Sequence, residues 1–183
     1  MSRVKLAKTV VLVGMMGSGK TAVGTALAEK IGVPFQDSDD AIEQAANLSV
    51  AEIFAKFGEE FFRCKESLVL ERLLRGEPCV LSTGGGAFLQ AKNRDLIAAT
   101  GVSLWLKADI ELLWARVRHK DTRPLLLVND PKAALRRLYD ERLPAYETAD
   151  LAVTADPNYS ISDMAAKVYE ALRAHAGTFK TQG

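Results

Sequence analysis

Cysteine is scarce in this 183-residue chain: there are two, Cys64 and Cys79. They form neither a Cys-x-x-Cys pair nor part of a His/Cys cluster, so no disulfide framework or thiolate metal site can be read from them. Each falls on an apolar stripe or run, which predicts reduced, structural thiols. Excess charge is also lacking. Lys plus Arg less Asp plus Glu is 24 − 23 = +1, so no overall field recruits nucleic acid or a membrane surface. No apolar run approaches the ~20 residues of a membrane span. Arg3, Lys5 and Lys8 ahead of the run Thr9 to Val13 imitate the start of a secretory signal. The imitation fails because that run passes into a glycine-rich loop with no small-residue cleavage site. Internal repeats and low-complexity segments are missing too. The expectation is one domain over residues 1–183, soluble and cytoplasmic, without room for a further catalytic or DNA-binding module.

What is present is organised around Gly14-Met15-Met16-Gly17-Ser18-Gly19-Lys20-Thr21, a phosphate-loop pattern. The backbone amides of Gly14, Gly17, Ser18 and Gly19 can fold around an anion, and the helix that follows adds the positive end of its dipole. Lys20 would reach the β- and γ-phosphate oxygens, and the Thr21 hydroxyl would ligate the Mg²⁺ that bridges them. Context supports the motif. Thr9 to Val13 is a β-branched and aliphatic run expected to form a strand buried on both faces. Val23, Leu27 and Ile31 then recur at helical spacing, with Gly32 placed to end the helix.

Further strands are predicted at Val33–Gln36, Cys79–Ser82, Val102–Leu106 and Leu151–Thr154, separated by helical segments. A helical stretch runs to about Ala46. Ser49 to Glu52 has capping-box form and opens a short helix that Gly58 ends. A longer helix from Glu59 to about Arg75 carries Phe61, Cys64, Leu68 and Leu73 as its apolar side. Residues from about Gln90 to Ala99 predict another helix. Asp109, Asp130 followed by Pro131, and Ser160 with Asp163 mark three more helix starts, the second interrupted near its end by Pro144. The stretch 120–130 has no regular period and reads as a mobile loop, and the tail from Thr178 reads as frayed. This alternation implies an α/β fold with a mostly parallel sheet and helices on both faces.

A phosphate loop names no phosphate acceptor, so the remaining polar clusters must do so. Asp37 and Asp39 follow a strand, on the ligand side of such a sheet, and can serve a metal and an acceptor hydroxyl separately. The alternative is that the cluster Asp37 to Asp40 caps the next helix, a role preferred for Asp40. Thr83-Gly84-Gly85-Gly86 is either a flexible loop or a place where backbone closely approaches a ligand. Arg63 and Glu66 are three apart, so the carboxylate could hold the guanidinium, or the two could be a surface pair. Arg142 and Arg123 are further cations, suited respectively to bidentate capture of a small carboxylate and to charge developing on a transferred phosphoryl group.

Taken together, the phosphate loop, Asp37-Ser38-Asp39, Gly58-Glu59-Glu60-Phe61-Phe62-Arg63 with Glu66, Thr83-Gly84-Gly85-Gly86, Arg123-Pro124-Leu125-Leu126 and Arg142-Leu143-Pro144-Ala145-Tyr146 resemble shikimate kinase. The match in order and spacing covers about residues 8–175. The resemblance implies a P-loop NTPase three-layer fold with a five-stranded parallel sheet of order 2-3-1-4-5. It also implies a substrate-binding segment near 38–65, a lid near 118–130, and a usually monomeric enzyme. Its reaction would be transfer of the ATP γ-phosphate to the 3-hydroxyl of shikimate, in aromatic amino-acid biosynthesis. By motif match Arg63, Arg142 and the Gly85 backbone would grip the shikimate carboxylate, and Asp39 would bind the ring hydroxyls and orient or deprotonate the attacking one. Thr21 would ligate Mg²⁺ directly and Asp37 through water. Lys20 and Arg123 would neutralise the transferring phosphoryl. Arg116 would lie against the adenine, with Asp156-Pro157 as part of the adenine loop. Ala22 stands where many relatives carry a second hydroxyl residue, which leaves the Thr21 ligand intact. The competing readings are another P-loop small-molecule kinase, acting on gluconate or a nucleoside monophosphate, and a non-catalytic nucleotide-binding module. Intact Lys20, Asp39, Arg63 and Arg142 argue against the last.

Overall fold

The computed structural model of the chain describes residues 4–120 and 128–180. The strands are β1 (Thr9–Val13), β2 (Phe35–Asp37), β3 (Val80–Ser82), β4 (Gly101–Lys107) and β5 (Leu151–Thr154). The helices are α1 (Lys20–Ile31), α2 (Ser38–Ala46), α3 (Val50–Leu74), α4 (Ala91–Thr100), α5 (Ile110–Val117), α6 (Pro131–Tyr146) and α7 (Ile161–Ala174). All strand pairs are parallel, in the order β2-β3-β1-β4-β5. That is the three-layer arrangement and strand order expected.

β1 lies at the centre of the sheet and is buried along its whole length. Successive side chains of a strand point to opposite faces, so the unbroken run TVVLV feeds two cores at once. Val10 and Leu12 join Val23, Leu27, Val168 and Leu172 under α1 and α7, while Val11 and Val13 join Leu70, Leu81, Leu113 and Tyr146 under α3, α5 and α6. A third, smaller cluster of Ile42, Ile53, Phe62 and Val69 ties α2 to α3.

Most capping expectations hold. Gly32 ends α1 with φ 81°, Asp109 accepts the Leu112 amide, Asp130 accepts the Ala133 amide, and Ser160 and Asp163 form a reciprocal capping box. Gly58 ends the first helical stretch of α3 as expected: its non-helical backbone (φ 83°, ψ 174°) kinks the span between that stretch and the longer one that continues to Leu74. Three expectations need correcting. Pro144 does not stop α6, which continues to Tyr146, because so near the end a missing amide costs one hydrogen bond. The tail is paired through Lys180: Ala7 donates to the Thr178 carbonyl and Lys180 to the Lys5 carbonyl, each at 2.8 Å.

The third correction concerns the inward face of α3. Phe61, Cys64 and Leu68 face outward, and the buried side is Phe62, Glu66, Ser67, Val69, Leu70 and Leu74. The inward face includes a charged and a hydroxyl residue, so a search for apolar residues alone selects the neighbouring stripe. Cys64 is therefore an exposed thiol, while Cys79 is buried as expected.

The polar members of that face are satisfied across the fold. Ser67 donates to Asn93 Oδ1 at 2.8 Å, and Asn93 Nδ2 donates to the Ala87 carbonyl at 2.9 Å. Asn93 has no exposed surface, and it ties α3 and α4 to the short 3₁₀ turn Ala87–Leu89 just after the glycine run. Asn93→Ala should destabilise the protein by about 2–3 kcal/mol, because it strands a buried carbonyl and a buried hydroxyl. Equilibrium urea unfolding checks this, against Ser160→Ala, an exposed cap expected to cost about 1 kcal/mol.

Candidate active site

The site lies along the C-terminal edge of the sheet, where β1, β2 and β3 deliver their following loops. The loop after β1 wraps tightly and ends with Gly19 in a left-handed conformation (φ 97°) at the start of α1. Gly17 is also left-handed (φ 81°), and a Cβ there would meet Val117 Cγ1 at 2.7 Å, so α5 packs directly against the loop. Lys20 Nζ donates to the Gly14 and Met15 carbonyls at 2.8 and 2.9 Å, which turns its ammonium back over the loop. Ser18 Oγ is buried without a hydrogen-bond partner among the described residues. Arg116 Nη1 donates to the Gly17 carbonyl at 2.9 Å, placing the guanidinium on the loop's outer side.

Two carboxylates stand opposite. Asp37 ends β2 and is the N-cap of α2, its Oδ1 accepting the amides of Asp39 at 2.9 Å and Asp40 at 3.2 Å. The capping role expected of Asp40 thus belongs to Asp37; Asp40 lies in the first turn, exposed, where its charge suits the helix dipole. Burial pushes the Asp37 carboxyl up, partly offset by the two amides and by Lys20. Asp39 is pushed up further, to about 6, by burial and then by the charges of Asp37 and Glu66. Its Oδ1 is buried with no partner among the described residues.

The glycine run explains where those groups can sit. A Cβ on Gly84 would lie 2.8 Å from Asp39 Oδ1, one on Gly85 would collide with Arg142 Nη1, and one on Gly86 would lie 2.6 Å from Arg63 Nη1. Gly86 itself has an ordinary conformation (φ −94°). At each of the three glycines a charged side chain thus approaches one strip of backbone more closely than a Cβ would allow without a shift. The flexible-loop alternative is set aside.

Both arginines are held. Arg63 Nη1 meets the Glu66 carboxylate at 2.9 Å, and Glu66 is almost fully buried, so this is no surface pair. Burial raises the Glu66 carboxyl, opposed by Arg63 and Arg142. Arg142 is 5% exposed and its Nε is without a partner among the described residues. A buried guanidinium, Arg142, and a partly exposed one, Arg63, thus stand beside the glycine run, a pair of planar cationic forks whose chemistry suits a small carboxylate.

Similarity to known proteins agrees with this geometry. The family model for shikimate kinase matches residues 16–173. The chain belongs to the shikimate kinase family. A shikimate kinase of Ruegeria pomeroyi is 62% identical over 167 residues, covering 91% of this chain and 86% of that protein. One of Cereibacter sphaeroides is 58% identical over 177 residues, covering 97% and 88%. The structure of shikimate kinase from Acinetobacter baumannii in complex with shikimate superimposes with a TM-score of 0.86 at 38% identity, covering 91% of this chain and 93% of that one.

Of the residues singled out by the family's motifs, Asp39, Arg63, Gly85 and Arg142 converge around the glycine run, and Lys20 is close enough to lower both aspartates. Thr21 opens α1 and is exposed. Arg123 lies outside the described residues, as do 121–127 of the expected lid. Tyr146 was not singled out: its hydroxyl donates to the Gly85 carbonyl at 2.6 Å. A tyrosine among apolar residues reads as core; its place at the end of the quoted motif Arg142 to Tyr146, four residues from Arg142, was the signal that could have found it.

The raised Asp39 pKa has a consequence for stability. Folding favours its protonated form, so the penalty is absent below the ordinary carboxylate value of 3.8, grows as pH rises toward about 6, and is constant above. In the absence of metal and nucleotide, Asp39→Asn should stabilise the protein at pH 7.5 by at most about 2–3 kcal/mol, with the gain vanishing near pH 4. Urea titrations of both proteins at the two pH values measure it; a gain that grows on acidification would contradict the assignment.

Proposed function

We propose that the chain transfers the γ-phosphate of ATP to the 3-hydroxyl of shikimate, giving shikimate 3-phosphate and ADP in the pathway to chorismate and aromatic amino acids. The observation that carries the reading is the convergence of Asp39, Arg63 and Arg142 on Gly84–Gly86, next to the phosphate loop. One acid partner for a hydroxyl and two cations for a carboxylate match a small hydroxy acid. Gluconate shares that chemistry in part; a nucleoside monophosphate does not.

In this reading Arg63, Arg142 and the Gly85 amide hold the carboxylate. That fixes the ring so that its 3-hydroxyl points at Asp39 and, beyond it, the nucleotide held by Gly14, Gly17, Ser18, Gly19, Lys20 and Arg116. The hydroxyl oxygen bonds to the γ-phosphorus as the bond to the ADP oxygen breaks, and Asp39 accepts the proton. Lys20 and Arg123 balance the charge on the transferring group. Its raised pKa suits Asp39 to proton acceptance near neutral pH. Asp39→Asn should lower kcat by roughly a hundredfold while leaving ATP affinity within a few-fold.

The donors on offer to a cation are the Thr21 hydroxyl and the Asp37 carboxylate. No group of three or more His, Cys, Asp or Glu able to hold a metal occurs among the described residues. Hard oxygen donors, few in number and facing Lys20, fit Mg²⁺ that arrives on the nucleotide and keeps some of its water. Thr21 would ligate it directly and Asp37 through water. When bound, the ion supplies charge neutralisation at the β- and γ-phosphates. No described helix is long and apolar enough to cross a membrane. The protein works as a cytoplasmic monomer in this reading.

A coupled ADP-release assay offered shikimate, quinate, gluconate and AMP separately should show turnover with shikimate far above the others; preference for gluconate or AMP would overturn the proposal. Association with a protein partner in the absence of turnover would favour a regulatory module. Gly86→Ala offers a second check. The new methyl displaces the end of the Arg63 side chain, which is one-fifth exposed and can swing outward, so stability should change by about 1 kcal/mol or less. Its kcat/KM for shikimate should nevertheless fall toward that of Arg63→Ala, a loss of about 2–5 kcal/mol, with ATP affinity retained. Unchanged kcat/KM in both variants would remove Arg63 from the acceptor site.

A further inference from the structure

Tyr146 closes α6 with 1% of its surface exposed, and its ring stacks on Trp105 with centroids 5.9 Å apart. Phenylalanine would serve that packing equally well. The hydroxyl does something else: it donates to the Gly85 carbonyl at 2.6 Å, across 61 residues of sequence. All three carbonyls of the glycine run are engaged on the protein side. Gly84 accepts the Ala87 amide at 3.1 Å, Gly85 accepts Tyr146, and Gly86 accepts the Leu89 amide at 3.2 Å. In a planar trans peptide the N–H points opposite to the C=O, so fixing the Gly84 and Gly85 carbonyls turns the Gly85 and Gly86 amides the other way. The first and third of these bonds are local to the turn. Tyr146 supplies the bond from outside, and it comes from the helix that carries Arg142.

We propose that Tyr146 is a positioning residue for acceptor recognition, fixing the Gly85–Gly86 peptide plane so that the turn's amides and the Arg142 guanidinium address one carboxylate together. This rests on the reading of shikimate as acceptor. Arg142 and Tyr146 are four apart on α6, and a Cβ on Gly85 would meet both the Arg142 guanidinium and, at 3.7 Å, the Tyr146 hydroxyl, so one helical turn sets both groups beside Gly85. Burial pushes the Tyr146 hydroxyl above its ordinary range, which keeps the proton that the Gly85 carbonyl needs. Glycine is the residue most in need of such a partner. Without Cβ the run has no side chain of its own to hold the peptide plane, so orientation has to come from a neighbour.

The test is Tyr146→Phe, which keeps the ring and its stacking. Shikimate KM should rise about tenfold, with kcat and the KM for ATP within about twofold, as expected when aligned donors to a charged group are lost from ground and transition state alike. The discriminating readout is the preference for shikimate over its carboxamide analogue, taken as the ratio of Kd values. A positioning role predicts that the preference narrows in the variant. Unchanged KM, or equal weakening of both ligands, would reduce Tyr146 to packing and overturn the proposal. In the unaltered protein, shikimate should shift the amide resonances of Gly85 and Gly86, a measurement independent of how well the variant folds; unmoved resonances would also overturn it. Absence of shikimate turnover by the unaltered protein would instead bring down the acceptor reading, and this role with it.

Discussion

Charged side chains of both signs can gather at one strip of backbone here because that strip has no Cβ atoms. Asp39, Arg142 and Arg63 each occupy the volume that a side chain on Gly84, Gly85 or Gly86 would need. Much of the architecture serves that approach. β3 brings the run to the sheet's edge, Thr83 pins it to β1 by donating from both its amide and its hydroxyl to the Leu12 carbonyl, and Asn93 and Tyr146 hold the carbonyls that follow. The phosphate loop leaves β1 one residue beyond the same Leu12. The two loops therefore leave adjacent strands within a residue or two of that shared carbonyl.

The electrostatics are uneven by construction. Arg63 has Glu66 as a fixed counter-ion, whereas Asp39 feels three other carboxylates, Asp37, Glu66 and Glu43, against the Lys20 ammonium. Buried charges without partners are costly, and proteins keep them where a ligand completes the set. Among the described residues four buried side-chain atoms lack a hydrogen-bond partner, Ser18 Oγ, Ser38 Oγ, Asp39 Oδ1 and Arg142 Nε, and they belong to the phosphate loop, the first turn of α2 and α6.

What could be read from sequence followed how local the cause was. β1, the phosphate loop and α1 were legible because periodicity and glycine spacing act within a few residues, and Asp109, Asp130 and Ser160 announced their helices for the same reason. The strand order was available through family resemblance, since no periodicity encodes which strand lies beside which. The inward face of α3 was misjudged because it contains Glu66 and Ser67, whose partners, Arg63 apart, come from distant sequence. Asp37 took the cap expected of Asp40 because the chain turned into α2 directly from β2. The reason for three glycines was invisible, as it consists of side chains 23 to 57 residues away, on both sides in sequence.

The two thiols mark very different places. Cys64 is open to solvent on the outer face of α3, while Cys79 lies at the start of β3 with its sulfur 4.0 Å from Thr9 Oγ1 on β1. A thiol reagent can reach the first in the intact fold but reaches the second only when β1 and β3 part. Those are the two strands from which the phosphate loop and the glycine run depart. Pulsed labelling at Cys79, with Cys64 as internal reference, therefore times the opening of the central sheet itself, and any ligand bridging the two loops acts as a bolt across that seam.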